Sequence, residues 1–239
     1  MNFIKVLLLL CISTPLIIAS DSIIDPELYL WCQEVRDIGQ QPFDALLNLG
    51  GECQVAYQMR LHGIRAEALP FDWNITPFSA LEKILKDRFE HFLEKEHLVF
   101  IHNEKEKYIL DTYYGIRFLH DFKLDENFMD DYEKIKIIYE RRIERFLNLL
   151  QESNHALFIR KKVTKDQAII LRELLKELYP NNNFLILAVD NSDEIKTDWQ
   201  LENIKNFYLR PPVPLSWKGD ASAWEEIFLS MGLHLAPAL

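Results

Sequence analysis

From about Phe43 onward the chain alternates short apolar runs with longer stretches in which apolar residues return every three or four positions. Short runs predict strands and the longer period predicts helices. Asp44 to Leu49 reads as a strand, and Glu52 to His62 as a helix stopped by Gly63. Ala66 to Leu69 reads as a second short strand closed by Pro70. Thr76 suits a cap and Pro77 a first helical position, ahead of Leu81, Ile84, Leu85, Phe89 and Phe92 on one face. His97 to His102 and Tyr108 to Phe122 carry strand signals, and Tyr132 to Leu150 is a long amphipathic helix. Ala156 to Arg160 is a strand, and Thr164 and Gln167 form a capping box that opens a helix to about Tyr179. Phe184 to Val189 is a continuous apolar strand, Ile204 to Arg210 another, and Asp220 starts a last helix through about Met231.

This rhythm predicts an α/β fold, a layered αβα domain with a largely parallel mixed sheet. Its clearest βαβ unit runs from Ala156 to Asp190, and the less regular middle third predicts local antiparallel pairing. There is no internal repeat, low-complexity segment or Pro/Ser-rich linker.

The first residues depart from the rhythm. Lys5 precedes an apolar stretch from Val6 to Ala19, followed by the small residues Ser20 and Ser22. This pattern predicts a signal peptide over residues 1–20, a lead-in segment over 21–42 and a single α/β domain over 43–239. The stretch is short for a membrane span, which needs about 20 apolar residues. The expectation is an exported protein, periplasmic or secreted, with no stable membrane insertion after cleavage. Removal of Cys11 leaves Cys32 and Cys53, which either pair or stay free. A disulfide would close a loop of about 20 residues, contribute roughly 3 kcal/mol and disarm Cys53.

Composition narrows the function classes. Apolar residues make up 49% of the 239, enough for a sizeable core, and the formal charge is -10. So acidic a chain is poorly suited to nucleic acid, whose phosphates need Lys and Arg. Arg141, Arg142 and Arg145 lie among glutamates on a helical pattern and read as a solvated face. No serine-hydrolase elbow, phosphate loop, dinucleotide fingerprint or metal-ligand spacing is present, so neither metal nor cofactor is expected.

In an open α/β sheet, ligands bind beyond the carboxyl ends of the strands. Gly50, Gly51, Cys53, Asp72, Trp73, Arg160, Asp190, Arg210 and Trp217 fall there. Cys53 follows two glycines and opens a helix, where unpaired N–H groups favour a thiolate and the glycines leave room for an oxyanion pocket. A small buried core cysteine is the bland alternative. His120 is the candidate base. Strand alternation through Tyr114, Ile116 and Phe118 turns it inward and turns Asp121 away, which leaves Asp72 or Asp190 to orient it. His155, just before a strand, reads as a loop residue. Trp73, Arg160 and Trp217 are the candidate ligand contacts, although core aromatics and an Arg160–Asp190 ion pair would explain them equally.

The stretch LGGECQVAYQMRLHGIRAEALPFDWNITP, with GIRFLHDF, YERRIERFLNLL and ALFIR, resembles a bacterial family of papain-like cysteine peptidases of unestablished function. The resemblance covers roughly Ala45 to Trp224. It implies Cys53 as nucleophile and His120 as base and leaves the third residue open. It also implies a papain-like α+β fold, in conflict with the βαβ rhythm after Ala156. Two readings follow. One is an exported cysteine hydrolase acting on a peptide or other small polar acyl substrate. The other is a noncatalytic or transferase-like domain that holds a polar or anionic ligand, such as a sugar, on the strand rim.

Overall fold

Two four-stranded sheets divide the described strands of the protein. Its computed structural model describes residues 42–193, 196–211 and 216–236. The signal peptide, most of the lead-in segment and Cys32 lie outside the described residues.

The first sheet is wholly parallel, in the order β1 (Ala45–Asn48), β6 (His155–Lys161), β7 (Asn183–Asn191) and β8 (Ile204–Leu209). The second is antiparallel, in the order β2 (Asn74–Ile75), β5 (Ile116–Phe118), β4 (Lys107–Asp111) and β3 (Leu98–His102). The chain is thus an α/β protein, and the antiparallel pairing expected for the middle third forms a sheet of its own.

β6 and β7 are the expected βαβ unit. Their crossover is α4 (Lys165–Leu178), opened by the Thr164–Gln167 capping box. β1 reaches its neighbour β6 only after a long excursion through α1 (Gln54–Leu61), α2 (Phe78–Asp87), the antiparallel sheet and α3 (Tyr132–Glu152). The last helix, α5 (Ala221–Ser230), starts at Asp220, whose carboxylate accepts the N–H of Ala223.

Strand alternation sends successive β6 side chains to opposite faces. Leu157 and Ile159 pack with Val55 and Met59 of α1 and with Trp224, Ile227 and Phe228 of α5. Ala156 and Phe158 join the larger core with Leu81 and Ile84 of α2, Leu171 of α4, and Ile109 and Phe118 of the second sheet. Each fully buried side chain of this size contributes about 1.5–3 kcal/mol, so both cores hold β6 in place.

Two predicted elements differ. Ala66 to Leu69 is not a strand, because the Asp72 carboxylate takes the Leu69 N–H, 2.8 Å, and curls the segment into a turn. Helix α2 begins one residue late, with Pro77 as its cap, because the Thr76 hydroxyl donates instead to Asn74 Oδ1, 2.6 Å.

Candidate active site

The loop from β1 to α1 is shaped by its two glycines. Gly50 and Gly51 have φ of 76° and 97°, which L side chains rarely adopt. A Cβ on Gly51 would collide with the Lys161 carbonyl, and one on Gly50 would press on Phe71 and Thr76. Close approach to β6 therefore requires glycine here. The Gly50 N–H is spent on Asn48 Oδ1, 2.8 Å, so it is not a donor for an oxyanion.

Cys53 then stands as the N-cap of α1, already in helical conformation, and its carbonyl receives the Tyr57 N–H. Its thiol is free and 7% exposed. Burial pushes the thiol up to about 11, with the Glu52 carboxylate as the second cause and Asp121 and Asp72 adding to it; the cysteine's own N–H opposes them. The expected thiolate at a helix start is thus not the state of the free protein, since desolvation outweighs the helix end. A pH dependence follows. The thiol ionises near 9 when unfolded and near 11 when folded. Ionisation of the thiol costs the folded protein roughly 2–3 kcal/mol relative to the unfolded one, a loss that is absent below pH 9 and complete as pH rises through 11. The difference in unfolding free energy between the protein and Cys53→Ser should shrink accordingly between pH 8 and 11. A constant difference would refute the buried, protonated thiol.

Glu52, beside Cys53, carries charge that the sequence reading did not weigh. Its carboxylate lies 2.6 Å from Nζ of the fully buried Lys161 and 2.7 Å from Lys162. Its own desolvation works against ionisation, and the two lysines override that to hold it below the usual carboxylate range. Lys161 also donates to Asn191 Oδ1, 3.0 Å, at the end of β7. The IRKK run at the end of β6 is the signal in the sequence.

His120 is exposed, contrary to the expected inward direction. β5 ends at Phe118, so strand alternation does not extend to it. Its ring lies 6.4 Å from that of Trp73 and 6.4 Å from that of Trp217. Trp217 is tied to the head of α1, because its carbonyl accepts from the Gln54 amide, 2.9 Å, and its ring meets Tyr57 at 5.3 Å. The other end of the Gln54 amide accepts from Trp224 Nε1, 3.1 Å. Arg65 lies over Trp73 and Lys218 over Tyr57, so a chain of four rings with a cation at each end passes the start of α1.

The proposed orienting acids are engaged elsewhere. Asp72 is 2% exposed and accepts from Arg65 twice, at 2.9 and 2.6 Å, from Leu69 N–H and from Asn48 Nδ2. Asp190 lies on β7 and accepts the N–H of Asn191. Asp121 holds the Tyr139 hydroxyl, 2.8 Å, and Arg142, 3.3 Å. No hydrogen bond joins any of them to His120 among the described residues. Arg160 is 1% exposed, and its guanidinium donates to the carbonyls of Leu49 and Thr76. It is therefore neither a surface ligand contact nor the partner of Asp190. His155 opens β6, at the opposite end of that strand from Lys161. Among the described residues no group of His, Cys, Asp and Glu could hold a metal, and no helix is long and apolar enough to cross a membrane.

In this α/β domain the thiol heads α1, and the exposed imidazole of His120 meets the ring of Trp217, whose carbonyl is tied to the first residue of that helix. Residues 44–190 match the model of the family described as "Putative papain-like cysteine peptidase (DUF1796)". The chain belongs to that family. It is 26% identical over 219 residues to "Uncharacterized protein R408" of Acanthamoeba polyphaga mimivirus, a match covering 77% of this chain and 96% of the relative. That relative is viral, so the bacterial part of the expected resemblance finds no support there. No solved structure matches the chain.

Proposed function

We propose that the protein is an exported cysteine hydrolase acting on a peptide or similar acyl substrate. Cys53 Sγ attacks the acyl carbon while His120 takes the thiol proton. His120 then gives that proton to the leaving group, and water hydrolyses the thioester. The observation that carries this reading is the Gln54–Trp217–His120 connection, which brings the one candidate base toward the head of the helix that Cys53 begins. Family membership supports it independently.

A thiol pushed up by burial and by Glu52 is unreactive until something changes its surroundings. His120, moving onto Cys53 as the sulfur attacks, supplies that change by taking the proton, and apo geometry is often looser than the reacting geometry. Iodoacetamide labelling of Cys53 against pH, with and without His120, tests the pairing. A rate that falls about tenfold at pH 8 in His120→Ala supports it, and a rate indifferent to His120 refutes it.

Trp217 is 54% exposed although its backbone is anchored to Gln54. A fixed, open indole beside the base offers a platform for a substrate side chain. Trp217→Ala is expected to raise KM five- to twentyfold for aromatic peptides and to leave kcat within threefold, read by steady-state hydrolysis. An unchanged KM would remove Trp217 from the binding surface.

A further inference from the structure

β6 ends in two consecutive buried cations, Arg160 and Lys161. Alternation sends them to opposite faces, and both grip the same loop. Lys161 takes the Glu52 carboxylate, while Arg160 Nη1 donates to the Leu49 carbonyl, 2.6 Å, four residues before Cys53. The backbone joins the same hold, through Leu49 N–H to the Ile159 carbonyl, 2.8 Å, and Lys161 N–H to the Gly50 carbonyl, 3.3 Å.

Arg160 also reaches the other sheet. Its Nη2 donates to the Thr76 carbonyl, 2.8 Å, directly after β2. β2 pairs with β5 through Asn74 with Phe118 and Ile75 with Arg117. His120 follows Phe118 by two residues. One planar guanidinium therefore bonds the loop that leads to Cys53 and the strand pair that leads to His120.

The price of this arrangement is evident in the same side chain. Arg160 has no carboxylate partner among the described residues, its Nε is buried without any partner, and burial lowers its pKa to about 10. A methionine would fill the core without that penalty. A lysine would offer a point charge in place of two fixed, divergent N–H groups. The unneutralised fork is explained by its two carbonyls.

We propose that Arg160 is a positioning residue that fixes Cys53 relative to His120 by tying the nucleophile loop of the parallel sheet to the first strand of the antiparallel one. The alignment role rests on the reading of Cys53 and His120 as a reacting pair; the tie itself does not.

Two readouts on the full chain separate these. In Arg160→Met, amide hydrogen exchange over residues 48–54 should speed at least tenfold while that of central β7 stays within twofold. The effect of His120→Ala on Cys53 labelling should shrink from about tenfold to under twofold in the Arg160→Met background. Arg160→Lys should restore neither, which distinguishes the fork from the charge. Wild-type exchange over residues 48–54 in either variant overturns the tie. Exchange that speeds equally across β7 in both variants makes Arg160 an ordinary core residue and overturns the proposal as well. If exchange changes as expected but labelling of the unsubstituted protein never depended on His120, the tie stands, while the alignment role fails with the hydrolase reading.

Discussion

Hydrolysis of a mixed fluorogenic peptide library should disappear when Cys53 becomes alanine, with kcat/KM falling at least about a thousandfold, as for loss of a covalent nucleophile. His120→Ala should lose about a hundred- to ten-thousandfold, the usual range for a general base. The first expectation follows from the placement of the thiol at the head of α1. The second follows from the exposed imidazole of His120, whose ring meets those of Trp73 and Trp217. Both variants should keep the wild-type unfolding midpoint within a few degrees, because Cys53 is small and the His120 ring is exposed. Retained activity in Cys53→Ala would refute the covalent mechanism. Absence of hydrolysis in the unsubstituted protein, together with saturable binding of a peptide or sugar that survives Cys53→Ser, would favour the noncatalytic reading.

The raised thiol explains why the two substitutions need not be equal. Ionised carboxylates at Glu52, Asp121 and Asp72 all oppose formation of a thiolate, and burial opposes it more. A base that removes the proton as the sulfur attacks avoids a free thiolate, so the role assigned to His120 is proton transfer in the reacting complex. Glu52 is locked by Lys161 and Lys162, Asp72 by Arg65, and Asp121 by Arg142. The field at the thiol is therefore a fixed property of the folded loop.

The parallel half of the fold was legible in the sequence because its signals are local. Thr164 and Gln167 cap α4 as the spacing says, and the continuous apolar run in β7 matches a strand covered on both faces. The boundary between the two sheets was not, since it depends on which strands pair across long separations. The same limit applies to the site. Gly50, Gly51 and Cys53 announce a tight loop before a helix, and their glycine φ values bear that out. Strand alternation does not give the direction of His120, because β5 ends two residues before it. Arg160 ends an apolar run, as a rim residue would, yet alternation turns it into the larger core to meet two carbonyls. Residues whose partners are backbone atoms of distant segments leave no spacing to read.

Asp72→Ala is the substitution expected to cost most in stability, about 3 kcal/mol in denaturant unfolding. The carboxylate is buried, and it alone satisfies the turn at Leu69, the Asn48 amide and the Arg65 guanidinium. Truncation leaves Arg65, itself largely buried at 16% exposure, without its counter-charge. Loss of one partner of such a pair is penalised far more than replacement of both. The double substitution Asp72→Leu with Arg65→Met should therefore recover at least about 1 kcal/mol relative to the sum of the single changes, the signature of direct coupling. Asp72→Asn should fall between, since its single amide oxygen can still accept from Leu69 but not also from Asn48, and it cannot neutralise Arg65. A large loss of hydrolysis with an unchanged unfolding midpoint would instead make Asp72 the acid that orients His120. Its four bonds to Arg65, Leu69 and Asn48 leave it fully occupied in holding the segment that ends in Trp73, and that segment carries one of the two indoles that meet the His120 ring.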